Sequence, residues 1–228
     1  HLMLQVLGIS AISGAMVLRY LYVQHQWRRQ VEAESRARFQ ALQARIRPHF
    51  LFNSMNTIAS LTRSDPVLAE EAVNDLADLF RASLSDNRGL STLDQELELC
   101  RGYLRIEQQR LGERLRVEWS LEGLPGEAAV PALVLQPLVE NAVYHGIERL
   151  DQPGVIRIIG RHRRGLVNLS VRNSSPPMDV EPRPGGHRLA VENIRQRLEG
   201  RFGDAASLSA GEVEGEYQVR KFFLAVET

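Results

Sequence analysis

The side chains best suited to chemistry fall in two short stretches of the 228-residue chain. In the first, Arg45-Ile46-Arg47-Pro48-His49-Phe50-Leu51-Phe52-Asn53-Ser54-Met55-Asn56, a proline directly precedes a histidine. Proline inside a helix removes a backbone hydrogen bond and costs about 3 kcal/mol, so its presence here suggests a kink that serves some end. His49 and Asn53 are one helical turn apart and share a face that Asn56 continues, with Leu51, Met55 and Ile58 as the adjacent apolar stripe. An imidazole in that setting can act as a nucleophile, while residue type alone equally allows a surface or core histidine. In the second stretch, Pro131 to Ile147, the polar residues Glu140, Asn141 and His145 stand out from an apolar helix. Asn141 and His145 are four apart and point the same way. A hard amide oxygen and an imidazole on one face can hold Mg²⁺ and a polyphosphate. A buried, hydrogen-bonded asparagine fits the same pattern.

Elements of two kinds must position these groups. From Gln24 to Leu61 there is almost no glycine, and Phe39, Leu42 and Ile46 recur at helical spacing, which predicts a long helix. Ser64-Asp65-Pro66 supplies a cap and a first-turn proline for a second helix carrying Val67, Ala72, Leu76, Leu79, Phe80 and Leu84, so the two form an α-hairpin. A third helix runs from about Asp94 to Leu111 and ends at Gly112. Beyond it Leu115, Val117 and Trp119 alternate with polar residues as in a strand. Pro131 opens an apolar helix to about His145; strands follow at 155–160 and 166–173, then a Pro/Gly/Ser-rich segment at 174–186 that is long for a plain connector. A helix at about 189–201 and strands at 206–210 and 217–226 close the chain. This order describes an α/β sandwich with helices on one face of a mixed sheet.

Composition narrows the partners. Lys+Arg and Asp+Glu balance at 28 each, which offers no electrostatic reason to expect direct nucleic-acid binding. Lys221 is the sole lysine, so a phosphate-holding cation elsewhere must be Arg or protonated His. The lone cysteine, Cys100, excludes an internal disulfide and a Cys-based zinc site. Leu2 to Val23 is apolar apart from Gln5, a few Ser/Gly and Arg19, long enough for a bilayer of roughly 30 Å, and reads as a transmembrane helix. Arg28 and Arg29 then place residues 24–228 in the cytoplasm, below the inner (cytoplasmic) membrane. The segment reads as the last span of a longer sensor.

The run Leu42 to Ile58 closely resembles the phosphoacceptor motif of LytS/YehU-type sensor histidine kinases, whose core reads Gln-x-x-Pro-His-Phe-Leu-Phe-Asn. The resemblance implies that His49 is phosphorylated, that residues 24–111 form a helical linker with a dimerisation and phosphoacceptor hairpin, and that two copies make a four-helix bundle in a homodimer. It also implies a LytTR-type response regulator as the acceptor. Pro131 to Ile147 resembles the N-box of the same kinases and of the gyrase and Hsp90 ATP-binding domains. That implies an ATP-binding domain over residues 112–228, with Asn141 as the Mg²⁺ ligand and His145 near the phosphates. Gly185 to Leu198 resembles the second glycine box, which implies nucleotide contacts from Gly185, Gly186, Arg188 and Asn193.

Two departures from the family bear on ATP. Arg188 and Ala190 stand where glycine is usual, and Asn173 replaces the aspartate that accepts a hydrogen bond from adenine, with Ser and Pro following it in place of glycines. Asn173 can still accept through its amide oxygen but adds a donor that needs a partner, and Arg188 can compensate by meeting phosphate. Phe50 stands where many histidine kinases have an acidic residue, so the residue that orients His49 is left unassigned; Glu140, directly before the expected metal ligand, is a candidate base whose side chain can also face away. Asn53 occupies the position from which an amide orients the water that dephosphorylates a partner regulator in other kinases. The leading expectation is therefore an ATP- and Mg²⁺-dependent histidine kinase and phosphatase; the alternative is a catalytically impaired regulatory dimer.

Overall fold

The computed structural model describes residues 3, 16, 18–27, 48–84, 89–175, 187–213 and 216–224. The chain divides into two compact units, His1–Pro48 and His49–Thr228. In the first, residues 18–27 are helical. Most of the expected membrane span, and residues 28–47 of the expected long helix with its kink, lie outside the described residues. Among the described residues no helix is long and apolar enough to cross a membrane.

From His49 on, the second unit holds α1 (Pro48–Ser64), whose first residue is the last of the first unit, and α2 (Pro66–Leu84). Asp65 alone joins them, and its carboxylate caps α2 by accepting from the Leu68 N–H at 3.0 Å. On α2 the buried residues are Ala69, Ala72, Leu76, Leu79 and Ser83, a three-four spacing that lays this stripe inward. Val67 and Leu84, expected on that stripe, are exposed. The short strand β1 (Leu90–Thr92) leads into α3 (Leu93–Leu111), which starts with a reciprocal capping box. In it Gln95 N–H donates to Thr92 Oγ1 at 3.2 Å and Thr92 N–H to Gln95 Oε1 at 3.1 Å. Gly112, at φ +57°, ends the helix where the sequence placed the break.

Arg105 on α3 binds Asp75 on α2 through two bonds, Nε to Oδ2 at 2.8 Å and Nη2 to Oδ1 at 2.6 Å. Gly102 makes room for this approach, since a Cβ there would stand 3.0 Å from Asp75 Oδ1. α3 is thus shared: it carries α2 on one side and the α/β layer on the other.

A five-stranded sheet follows, built from β2 (Leu115–Glu122), β4 (Gly154–Arg163), β5 (Leu166–Ser174), β6 (Ser207–Val213) and β7 (Glu216–Leu224) in the order β2-β4-β5-β7-β6. Only β2–β4 is parallel. Ile156, Ile158, Val167, Leu169, Val171 and Val219 line one face at period two and pack with residues of α3, of α4 (Gln136–Asn141) and of α5 (His187–Phe202). The mixed α/β sandwich with helices on one face is the architecture the strand and helix order predicted. A second ribbon was not foreseen: β1 pairs antiparallel with β3 (Ala129–Pro131), Leu90 opposite Pro131.

The helix expected from Pro131 starts only at Gln136. Residues 132–135 form a turn with Leu133 at φ +54°, a left-handed value that costs a leucine energy. After Asn141 the backbone widens into a π-turn, Ala142–Gly146, and then tightens into a 3₁₀ turn, Ile147–Arg149.

Candidate functional site

α1 turns the half-buried Phe50 and the buried Ser54 and Ile58 inward at one phase of the helix. The Phe50 ring meets the Tyr103 ring of α3 at 4.9 Å between centroids, and Ser54 Oγ donates to the Phe50 carbonyl at 2.8 Å. That choice of face leaves His49 in solvent. Asn53 Nδ2 lies 3.2 Å from His49 Nδ1 and 3.3 Å from Nε2, so it can donate to whichever ring nitrogen carries the lone pair. The histidine and its amide partner therefore stand together, as expected, with Asn56 exposed beyond them. The apolar stripe expected beside them is split: Ile58 is buried, but Met55 and the neighbouring Phe52 are more than half exposed. Glu140, the candidate base, is on α4, where its Oε1 accepts from Gln136 Nε2 at 2.9 Å.

The second group gathers where α4 ends. Asn141 is buried in the last turn of α4, and His145 sits in the π-turn with its ring edge-on to Tyr144, centroids 4.9 Å apart. Asn173, buried on β5, comes to the same place. A Cβ on Gly146 would lie 2.3 Å from Asn173 Nδ2, so glycine is what lets the π-turn and β5 touch. The donor that Asn173 adds is used: Nδ2 gives a hydrogen bond to the Ser174 carbonyl at 2.9 Å. That contact orients the amide and keeps its oxygen for accepting. Asn193 is exposed on α5. Gly185, Gly186 and the side chains of Arg188 and Ala190 lie outside what is described.

Among the described residues no cluster of three or more His, Cys, Asp or Glu could cage a metal ion. A buried amide oxygen beside an imidazole suits Mg²⁺ brought in with a polyphosphate, since Mg²⁺ takes few protein ligands and keeps phosphate oxygens and water.

Sequence reasoning missed the residues that hold this site in shape. Glu96, almost wholly buried on α3, accepts the Leu133 N–H on Oε1 at 2.7 Å, and on Oε2 the N–H groups of Val134 at 2.7 Å and Leu135 at 3.1 Å. Arg197 on α5 donates to the Ala132 and Leu133 carbonyls at 2.5 and 3.4 Å. Burial lowers the Arg197 pKa, and the charge of Glu96 opposes that shift. Glu107, also buried on α3, pairs with Arg110, which reaches Glu148 at 2.6 Å in the 3₁₀ turn. Burial raises the Glu107 carboxyl pKa, against the pull of Arg110. One signal was available: Glu96 and Glu107 fall at the same helical phase as Leu93, Leu97, Cys100 and Leu104, where an amphipathic helix keeps apolar residues.

Residues 37–115 match the family described as Histidine kinase. Among curated proteins the chain is similar to sensor protein LytS of Staphylococcus haemolyticus, 32% identical over 75% of this chain and 31% of that protein. It is also similar to sensor histidine kinase BtsS of Escherichia coli, 31% identical over 89% of this chain and 35% of that one. Sensor histidine kinase/phosphatase LytS of Staphylococcus aureus is 35% identical over 75% and 32%. The chain spans about a third of the length of these relatives. Among solved structures, the histidine kinase domain of the Erythrobacter litoralis EL346 blue-light activated kinase is similar at a TM-score of 0.45 and 16% identity, over 82% of this chain and 90% of that one. With one match across the His49 helix and relatives aligned over about three quarters or more of its length, the chain is similar to histidine kinases.

Proposed function

We propose that this chain is the catalytic portion of a two-component sensor histidine kinase, transferring the γ-phosphoryl group of ATP to His49 and from there to a response regulator. The observation that carries the reading is the solvent-facing His49 with Asn53 at 3.2 Å, inside the matched family segment, in one unit with the Asn141, His145 and Asn173 group. In the transfer an unprotonated ring nitrogen of His49 forms the N–P bond as the bond to the β–γ bridging oxygen breaks and ADP leaves. Asn141 would hold Mg²⁺, which neutralises charge on the phosphates when bound. Asn173 would accept from the adenine amino group, and His145, Gly185, Gly186, Arg188 and Asn193 would line the phosphates. With γ-labelled ATP and Mg²⁺ the chain should take up label that acid releases and base does not; a chain that binds ATP and stays unlabelled overturns the kinase reading.

Gly146→Ala should weaken ATP binding about tenfold, the outcome of overpacking worth 1–3 kcal/mol against Asn173. Calorimetric titration checks it, and unchanged affinity would detach Asn173 from the base. Asn53 serves a second activity, orienting water on the phosphorylated regulator, in keeping with the kinase/phosphatase name of one relative. Asn53→Ala should slow regulator dephosphorylation roughly a hundredfold. An unchanged rate rules the role out.

The apolar residues Phe52, Met55 and Val73, exposed on α1 and α2, are the surface that a homodimeric four-helix bundle of two hairpins would cover. In this reading residues 24–111 serve dimerisation and phosphoacceptance, residues 112–228 bind ATP, and α3 is where the two meet. Residues 2–23 anchor the chain in the inner membrane. The regulator is of LytTR type, and the detailed resemblance to the alginate-regulating AlgZ (FimS) kinase points to alginate and virulence genes as the output. A second reading, a catalytically impaired dimer that controls its regulator as a phosphatase, is favoured by Asn173, Arg188 and Ala190. It predicts Asn53-dependent phosphatase activity without label on His49.

A further inference from the structure

The turn before α4 has an unusual arrangement. With Leu133 forced to φ +54°, three successive N–H groups, those of Leu133, Val134 and Leu135, converge in the concave nest that backbone commonly offers to a bound anion. Here a side chain of the same protein fills it. Glu96 approaches from α3, nearly forty positions earlier in the chain, with all three acceptor contacts at 3.1 Å or less. On the opposite polarity, Arg197 holds the carbonyls of Ala132 and Leu133. A buried carboxylate thus grips the donors of this turn and a half-buried guanidinium grips its acceptors.

The turn has one outlet. Leu138 N–H bonds to the Leu135 carbonyl at 2.9 Å, so α4 begins directly from the clamped residues, and its own N-cap residue Leu135 gives no side-chain cap. Six residues on stands Asn141. Asn141 lies less than two turns beyond the clamp, so what holds the first turn of α4 sets where its amide stands. Arg197, in contrast, belongs to α5.

We infer that Glu96 and Arg197 are positioning residues for Asn141: together they set the helix that presents its amide to Mg²⁺ and tie that helix to α5. This rests on the nucleotide-site reading above. Neither residue touches the reacting atoms; each acts through the turn, as the partners behind metal ligands do.

The test is ADP affinity of the full chain, measured by calorimetry with Mg²⁺ and again with EDTA, together with the melting temperature. In the wild type Mg²⁺ should tighten ADP binding. In Glu96→Gln and Arg197→Gln that gain should fall by about tenfold or more, while Mg²⁺-free affinity holds. Should Glu96→Gln fail to fold, Arg197→Gln alone decides, because it leaves the buried carboxylate and its three N–H partners in place. A purely structural role gives a lowered melting temperature with the Mg²⁺ gain intact, and that result overturns the inference. A wild-type chain that binds no ADP under either condition removes the nucleotide reading and the inference with it.

Discussion

A His49→Gln chain should take up no acid-labile phosphate from γ-labelled ATP, a loss on the order of 10³ or more relative to wild type. Glutamine is a good helix former, and its amide can meet Asn53 as the imidazole does, so α1 should keep its place through Phe50, Ser54 and Ile58. What disappears is a nitrogen lone pair able to form the N–P bond. ADP affinity should stay at the wild-type value, since the Asn141, His145 and Asn173 group lies on α4, the π-turn and β5 rather than on α1. Label that persists in this variant would assign the phosphate to another residue and sink the central claim. Loss of label together with loss of ADP binding would trace the effect to the fold instead.

Arg110→Met should be strongly destabilising. In the native chain Arg110 spans Glu107 and Glu148, and its removal leaves the nearly inaccessible Glu107 carboxylate with no neighbouring cation. Breaking a buried ion pair from one side costs about 3–5 kcal/mol, and a chain of this size should lose roughly 10 °C in Tm. The deficit should also depend on pH. Burial already raises the folded Glu107 pKa above its ordinary 4.5, and without Arg110 it rises further. Between the unfolded and the raised folded value the native state binds more protons, so stability falls as pH increases through that window. The variant should therefore be weakest at neutral pH and recover toward wild type near the ordinary carboxylate value. Adding Glu107→Gln should restore much of the loss. Melting curves from pH 5 to pH 8 check both points; a deficit independent of pH would show that packing, not the stranded charge, is responsible. Because Glu148 belongs to the 3₁₀ turn directly after Gly146, the same variant should also loosen the proposed nucleotide site.

Much of this was legible in the linear chain, and the rest divides by the distance over which the deciding contact acts. The alternation of Leu115, Val117 and Trp119 marked β2, Gly112 marked the end of α3, and Asp65-Pro66 marked the start of α2, because periodicity, caps and φ restrictions act within one or two turns. His49 with Asn53 was equally local, four residues on one helix. The start of α4 was not: an apolar run beginning with proline reads as helix from its first residue, yet Glu96 captures the N–H groups that the first turn would have used. β1 and β3, three residues each, carry too short a pattern to be recognised and exist because they find one another. Met55 reads as core by spacing and is exposed, because the Phe50–Tyr103 contact selects which stripe of α1 turns inward.

The sequence by itself determined most of the helices and strands, their order and the α/β class, and it singled out His49 as the expected phosphoacceptor, all from short-range patterning and local motifs. Only the tertiary structure decided how the side chains of the proposed nucleotide site are held. Whether a buried carboxylate meets three N–H groups, or a glycine lets an asparagine approach to van der Waals limits, depends on residues far apart in the chain whose proximity no local pattern encodes.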